Sequence, residues 1–132
     1  MTHRFELRVH YEDTDMGGIV YHANYLKFIE RARSDWVRGL GVDQRAMRDG
    51  DGLVFAVRRI VADYLAPAHF DEVLQVETFL RSLSGARLDL GQTVSRGTDR
   101  LFAAEVTVVC LAASGRPVRL PANIRRLLAR GG

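Results

Sequence analysis

The chain opens with a period of two. Phe5, Leu7, Val9 and Tyr11 alternate with Glu6, Arg8 and His10, which predicts a half-buried strand over 5–11. The alternation breaks at Glu12-Asp13-Thr14-Asp15-Met16-Gly17-Gly18, an acidic stretch closing on paired glycines that neither helix nor strand favours. From about His22 the period lengthens. Tyr25, Phe28, Ile29, Ala32, Trp36, Val37 and Leu40 fall on one face of a helix of about 17 residues. Lys27, Glu30, Arg31, Ser34, Asp35 and Arg38 occupy the opposite face, and Gly39 or Gly41 supplies the stop.

Period two returns from Leu53 to Leu111. Val54, Ala56, Ile60, Ala62 and Tyr64 line one face of a strand that ends at Pro67. Leu74, Val76, Thr78 and Leu80 alternate with Val73, Gln75, Glu77 and Phe79. Turn signals at Ala68-His69-Phe70-Asp71, Ser84-Gly85 and Gly97-Thr98-Asp99 imply antiparallel hairpins. The last strand, Leu101 to Leu111, is apolar on both faces apart from Glu105 and Thr107 and is expected in the middle of the sheet. Pro121 opens a short C-terminal helix with Leu127 and Leu128 as contacts. One helix with a whole apolar face and one antiparallel sheet must cover each other, which predicts an α+β two-layer domain over 1–132. The sheet's second face and its edges are left open, so a homo-oligomer is expected.

Composition adds limits. At 132 residues, 47% hydrophobic and 27% charged, the chain is one ordinary globular domain. No window is long and apolar enough to predict a membrane span. The first residues, Met1 to Glu6, lack the apolar core of a signal peptide, and Cys110 is the single cysteine, so a cytoplasmic protein without disulfides is expected. The net charge is only +3, with Arg58–Arg59 and Arg125–Arg126 as the only adjacent basic pairs. That is too sparse for nucleic acid but suits an anionic small molecule.

Candidate chemistry gathers at Tyr11 to Tyr25. Acidic side chains lead through glycines to a helix start, where backbone N–H groups lack intrahelical partners and the dipole adds roughly +0.5 charge. Such amides suit a developing oxyanion, and a carboxylate just upstream suits a general base or nucleophile on the same carbonyl. The same acidic residues serve equally as helix caps, and the glycines as turn formers. No metal site is expected: Glu12, Asp13, Asp15 and His22 lack the spacing of a zinc or calcium motif. Cys110, inside an apolar strand, reads as core. No serine-hydrolase elbow, Walker loop or dinucleotide fingerprint occurs, and no cofactor is expected.

The run Tyr11-Glu12-Asp13-Thr14-Asp15, then Gly17-Gly18, Val20-Tyr21-His22-Ala23-Asn24-Tyr25-Leu26, Phe28 and Glu30-Arg31-Ala32-Arg33, closely resembles the signature of hotdog-fold acyl-CoA thioesterases. It is most similar to the 4-hydroxybenzoyl-CoA thioesterase type and to its branch associated with the Tol–Pal system of the bacterial envelope. Tyr64, Pro67-Ala68 and Asp71, and later Arg116-Pro117-Val118 and Pro121, extend the resemblance.

The resemblance implies a five-stranded antiparallel sheet wrapped around one long central helix, in homodimers or homotetramers with active sites at the dimer interface. It implies hydrolysis of a short-chain or aromatic acyl-CoA to free acid and coenzyme A, or of the same acyl group on acyl carrier protein. Asp15 matches the catalytic aspartate, as general base or as nucleophile through a mixed anhydride. Tyr11 and His22 match residues that position substrate or water. Gly17, Gly18, Tyr21 and Asn24 fall to substrate binding, with amides near Tyr21 and His22 polarising the carbonyl. Met16 stands where the branch commonly has alanine. Arg58, Arg59, Arg87 and Arg125 are unranked candidates for the coenzyme phosphates. The competing expectations are a hotdog-fold hydratase or dehydratase, whose His-x-x-x-x-Pro-Gly is missing here, and a non-catalytic acyl-binding scaffold.

Overall fold

Five strands form one antiparallel sheet in the order β1-β3-β4-β5-β2, in a computed structural model that describes residues 2–132. β1 is His3–Arg8, β2 Val54–Tyr64, β3 Val73–Ser84, β4 Arg87–Arg96 and β5 Asp99–Leu111. β1 stops three residues short of the expected end, because Tyr11–Asp13 turns into a single 3₁₀ turn. β3, β4 and β5 are joined by tight hairpins at Gly85 and Gly97, both at positive φ as such turns require. The Ala68–Asp71 signal is different. β2 pairs with β5 and β3 with β1 and β4, so Leu65–Glu72 crosses from one edge region to the other instead of closing a hairpin.

The inner face alternates as the sequence requires: Leu74, Val76 and Thr78 on β3 and Leu88, Leu90, Gln92 and Val94 on β4 are buried. β2 departs from strict alternation. A bulge between Val57 and Arg59 slips the register by one residue. Phe55 therefore packs on the core beside Ile60 and Ala62, while Val54 is 39% exposed. Reading even-numbered positions straight through the bulge assigned Val54 and Ala56 to the wrong face. β5 lies between β4 and β2, as expected of a strand apolar on both faces, although the middle position belongs to β4.

Helix α1, Asn24–Gly39, spans 16 residues and lies on β1, β3 and β4. Tyr25, Phe28, Ile29, Ala32, Trp36 and Val37 are buried on its sheet side. Each of the large ones contributes about 1.5–3 kcal/mol by leaving water. The helix closes where Val42 N–H reaches the Val37 carbonyl at 3.2 Å, with Gly41 at φ 94° carrying the reversal. A short α2, Gln44–Ala46, and one π turn, Met47–Asp51, follow. Asp43 caps α2, accepting the Ala46 N–H at 3.0 Å. The C-terminal helix α3, Ala122–Ala129, follows Pro121 and buries Ile124 and Leu128. Cys110 is fully buried. No helix among the described residues is long and apolar enough to cross a membrane.

Candidate active site

The acidic, glycine-paired segment is a small hairpin folded on itself. Asp13 is buried, and its carboxylate accepts the His10 N–H at 2.8 Å. Its carbonyl accepts the Tyr21 N–H at 2.9 Å and the Asn24 side-chain amide at 2.9 Å. One peptide oxygen thus joins the outgoing arm of the loop to the first turn of α1. Asp15 sits at the bend. Its N–H donates to the Ile19 carbonyl at 2.9 Å, its own carbonyl accepts the Gly18 N–H at 3.0 Å, and Oδ1 accepts the Gly17 N–H at 2.8 Å. The carboxylate is exposed and held in one orientation by its own turn. Gly18 has φ 79°, a conformation that side chains seldom adopt. Gly17 leaves room for the carboxylate, since a methyl there would stand 3.1 Å from Asp15 Oδ1.

The loop is tied to the β2–β3 crossover by Val20 N–H, which donates to the Ala68 carbonyl at 2.8 Å. The crossover is itself anchored. Glu72 accepts the His69 N–H at 2.6 Å and the Arg96 guanidinium at 3.0 and 3.1 Å. Burial pushes the Glu72 carboxyl up, but those hydrogen bonds outweigh it and hold the group below the usual carboxylate range. Between loop, helix start and crossover lies a cleft of about 440 Å³ lined by Asp15, Ile19, Val20, His22, Tyr25, Tyr64, Leu65, Ala66 and Pro67. Its two lining tyrosines are backed by Phe102, which is fully buried behind them. Tyr25 and Phe102 stack at 5.0 Å and 11°, and Tyr64 meets both edge to face at 5.6 and 5.1 Å.

Asp15 and His22 therefore share one cleft at the start of α1. The amides of His22 and Ala23 have no acceptor among the described residues, whereas the Tyr21 amide is spent on Asp13. A carboxylate and an imidazole at one apolar cleft, with the unspent His22 amide at the helix start, can activate water or attack an acyl carbon, and can then hold the oxyanion formed. The model of the thioesterase-like superfamily matches residues 9–128, which includes every one of these groups. The chain belongs to the thioesterase-like superfamily.

Its relatives agree. The acyl-CoA thioesterase YbgC of Haemophilus influenzae is 39% identical over 122 residues, covering 92% of this chain and 90% of that one. The acyl-CoA thioester hydrolase YbgC of Escherichia coli O6:H1 is 39% identical over 123 residues, with 92% and 91% covered. A solved structure of a probable thioesterase from Bartonella henselae superposes with a TM-score of 0.88 at 36% identity, covering 92% of this chain and all of that one. The chain is accordingly a thioester hydrolase.

The other residues expected at the thioesterase site have different surroundings. Tyr11 is 81% exposed and leans edge-on against Phe70 at 6.3 Å, outside the cleft lining. Met16 is fully exposed at the hairpin tip. Asn24 is buried, and its amide serves the loop. Tyr21 packs its ring on His22 at 4.6 Å. Gly17 and Gly18 use their N–H groups to shape Asp15. Of the four arginines, Arg87 is tied to Asp89 and Arg125 to the Gly85 carbonyl near the β3–β4 hairpin, while Arg58 and Arg59 are exposed on β2. None of the four lines the cleft. A separate cavity of about 240 Å³ runs under the middle of α1, between Glu30, Arg33 and Ser34 above and Phe55, Leu88, Leu90 and Val108 below. It shares no lining residue with the Asp15 cleft.

Tyr64 and Tyr25 escaped the sequence reading as site residues. Both obeyed the apolar periodicity of their elements, which says where a ring is buried but nothing about its hydroxyl.

Proposed function

We propose that the chain hydrolyses the thioester of a short-chain or aromatic acyl-CoA, releasing the free acid and coenzyme A. The observation that carries this is the meeting of Asp15 and His22 at one cleft, with the His22 amide free of any acceptor among the described residues. As general base, Asp15 takes a proton from water while the water oxygen bonds to the acyl carbon. As nucleophile, its oxygen bonds to that carbon directly and water opens the resulting anhydride. On either route the carbonyl oxygen gains negative charge beside the helix start, and the C–S bond breaks to release the thiolate, which takes up a proton. One donor of the helix-start kind is worth about 10²–10³ in rate in other enzymes. His22 orients substrate or water, so its loss should reduce the rate less than the loss of Asp15.

The same reading has the sheet curl around α1 and two copies join edge to edge as a dimer, which can pair again as a tetramer. What supports it is the open β2 edge, where Val54, Val57 and Val61 are 39, 45 and 42% exposed. The small positive net charge favours an anionic thioester, carried on coenzyme A or on acyl carrier protein. A panel of acyl-CoA esters assayed with a thiol reagent tests the reading. Thiol release from short or aromatic esters is the expected result, and no release across the panel would sink it.

A further inference from the structure

We infer that Tyr64 is a positioning residue for this hydrolysis, an inference that rests on the reading above. Tyr64 is the last residue of β2, where the chain leaves the sheet for the crossover. Its ring meets Tyr25 and Phe102 at 5.6 and 5.1 Å and the His22 imidazole at 6.2 Å, all edge to face. Its hydroxyl donates to the His22 carbonyl at 2.8 Å.

That carbonyl lies just outside the helix. The first turn of α1 uses the Ala23 carbonyl, which accepts the Leu26 N–H at 3.2 Å, and no backbone N–H among the described residues is bonded to the His22 oxygen. The Tyr64 hydroxyl is its partner. Two consequences follow from elementary electrostatics and chain geometry. In a trans peptide the His22 oxygen points away from the Ala23 N–H, and a hydroxyl bonded to that oxygen polarises the peptide and makes its N–H a stronger donor. The bond also fixes the plane of the His22–Ala23 peptide, and with it the Ala23 N–H and the backbone that carries the imidazole. The anchor is a strand of the sheet, where side chains are held more firmly than on a loop. Burial pushes the Tyr64 phenol up, which keeps the proton on the oxygen and the hydroxyl a donor.

Tyr64→Phe removes the hydroxyl and keeps the ring. Measured on acyl-CoA, kcat should fall about 5- to 10-fold, the size of one lost neutral hydrogen bond, with KM within about 2-fold. Tyr64→Leu, which also removes the wall, should raise KM as well. In substrate-free protein, the ¹H–¹⁵N signals of His22 and Ala23 should shift in Tyr64→Phe, while those of the β3–β4 hairpin stay in place. An unchanged kcat in Tyr64→Phe would overturn the inference, and so would unchanged His22 and Ala23 signals. The amide measurement needs no turnover. If wild type hydrolyses nothing, the functional reading falls, and the spectra still decide whether Tyr64 orders the helix start.

Discussion

Replacing Gln92 by leucine tests how α1 is held on the sheet. Gln92 is fully buried on β4, where alternation calls for an apolar side chain. Its amide donates to the Ile29 carbonyl at 2.9 Å and to Thr78 Oγ1 at 2.8 Å, and its oxygen accepts the Arg33 guanidinium at 2.9 Å. Leucine has similar bulk, so the cost is almost wholly polar. Ile29 keeps its intrahelical partner. The buried Thr78 hydroxyl and the part-buried Arg33 do not keep theirs, and burial already pulls the Arg33 pKa down. At about 1–3 kcal/mol for each of these two orphaned groups, Gln92→Leu should cost about 2–6 kcal/mol, a large share of a typical domain's stability. Thr78→Val alone should cost about 1–2 kcal/mol by stranding one Gln92 N–H, yet in the leucine background it should recover about 1 kcal/mol. Urea unfolding at fixed protein concentration reads both, followed by the fluorescence of Trp36, the single tryptophan and 3% exposed. Stability of Gln92→Leu within about 0.5 kcal/mol of wild type would refute the reasoning, as would equal Thr78→Val costs in both backgrounds.

Gly17→Ala places a methyl against Asp15 Oδ1, so kcat should fall on the order of 10-fold while the urea midpoint hardly moves. Wild-type kcat in that variant would show that the carboxylate orientation is not set by this turn. Glu72 gives a pH signature. Its folded pKa lies below the unfolded value of about 4.3, so its contribution is complete above that value and is lost as pH falls through the folded pKa. Wild type should lose stability more steeply than Glu72→Gln from about pH 5 downward, and parallel unfolding curves would contradict the assignment.

Much of this was legible because burial imposes a period. The α1 stripe and the inner face of β3 could be read residue by residue, since one sheet face and one helix face have only each other to cover. Strand order could not be read, because the Leu65–Glu72 crossover carries the same Pro/Asp chemistry as a hairpin turn. The bulge at Arg58 was equally silent, and it shifted the inner face of β2 by one residue. The Asp43 cap of α2 was available as a signal, an aspartate three residues before Ala46, but α2 is too short to show a period. At the site, residue types announced the acidic loop and the helix start. They did not announce which amides were spent. Tyr21 and Asn24 both close on the Asp13 carbonyl, a pairing eight and eleven residues apart that depends on how the loop folds.

The proposed hydrolysis depends on one carboxylate set at a helix start, that of Asp15. The most direct test is single-turnover hydrolysis of an acyl-CoA by wild type and by Asp15→Asn, with the unfolding midpoint of each recorded. Asparagine keeps the oxygen that accepts the Gly17 N–H, so the midpoint should hold while thiol release slows by orders of magnitude. A folded Asp15→Asn protein that releases thiol at near the wild-type rate would contradict the account.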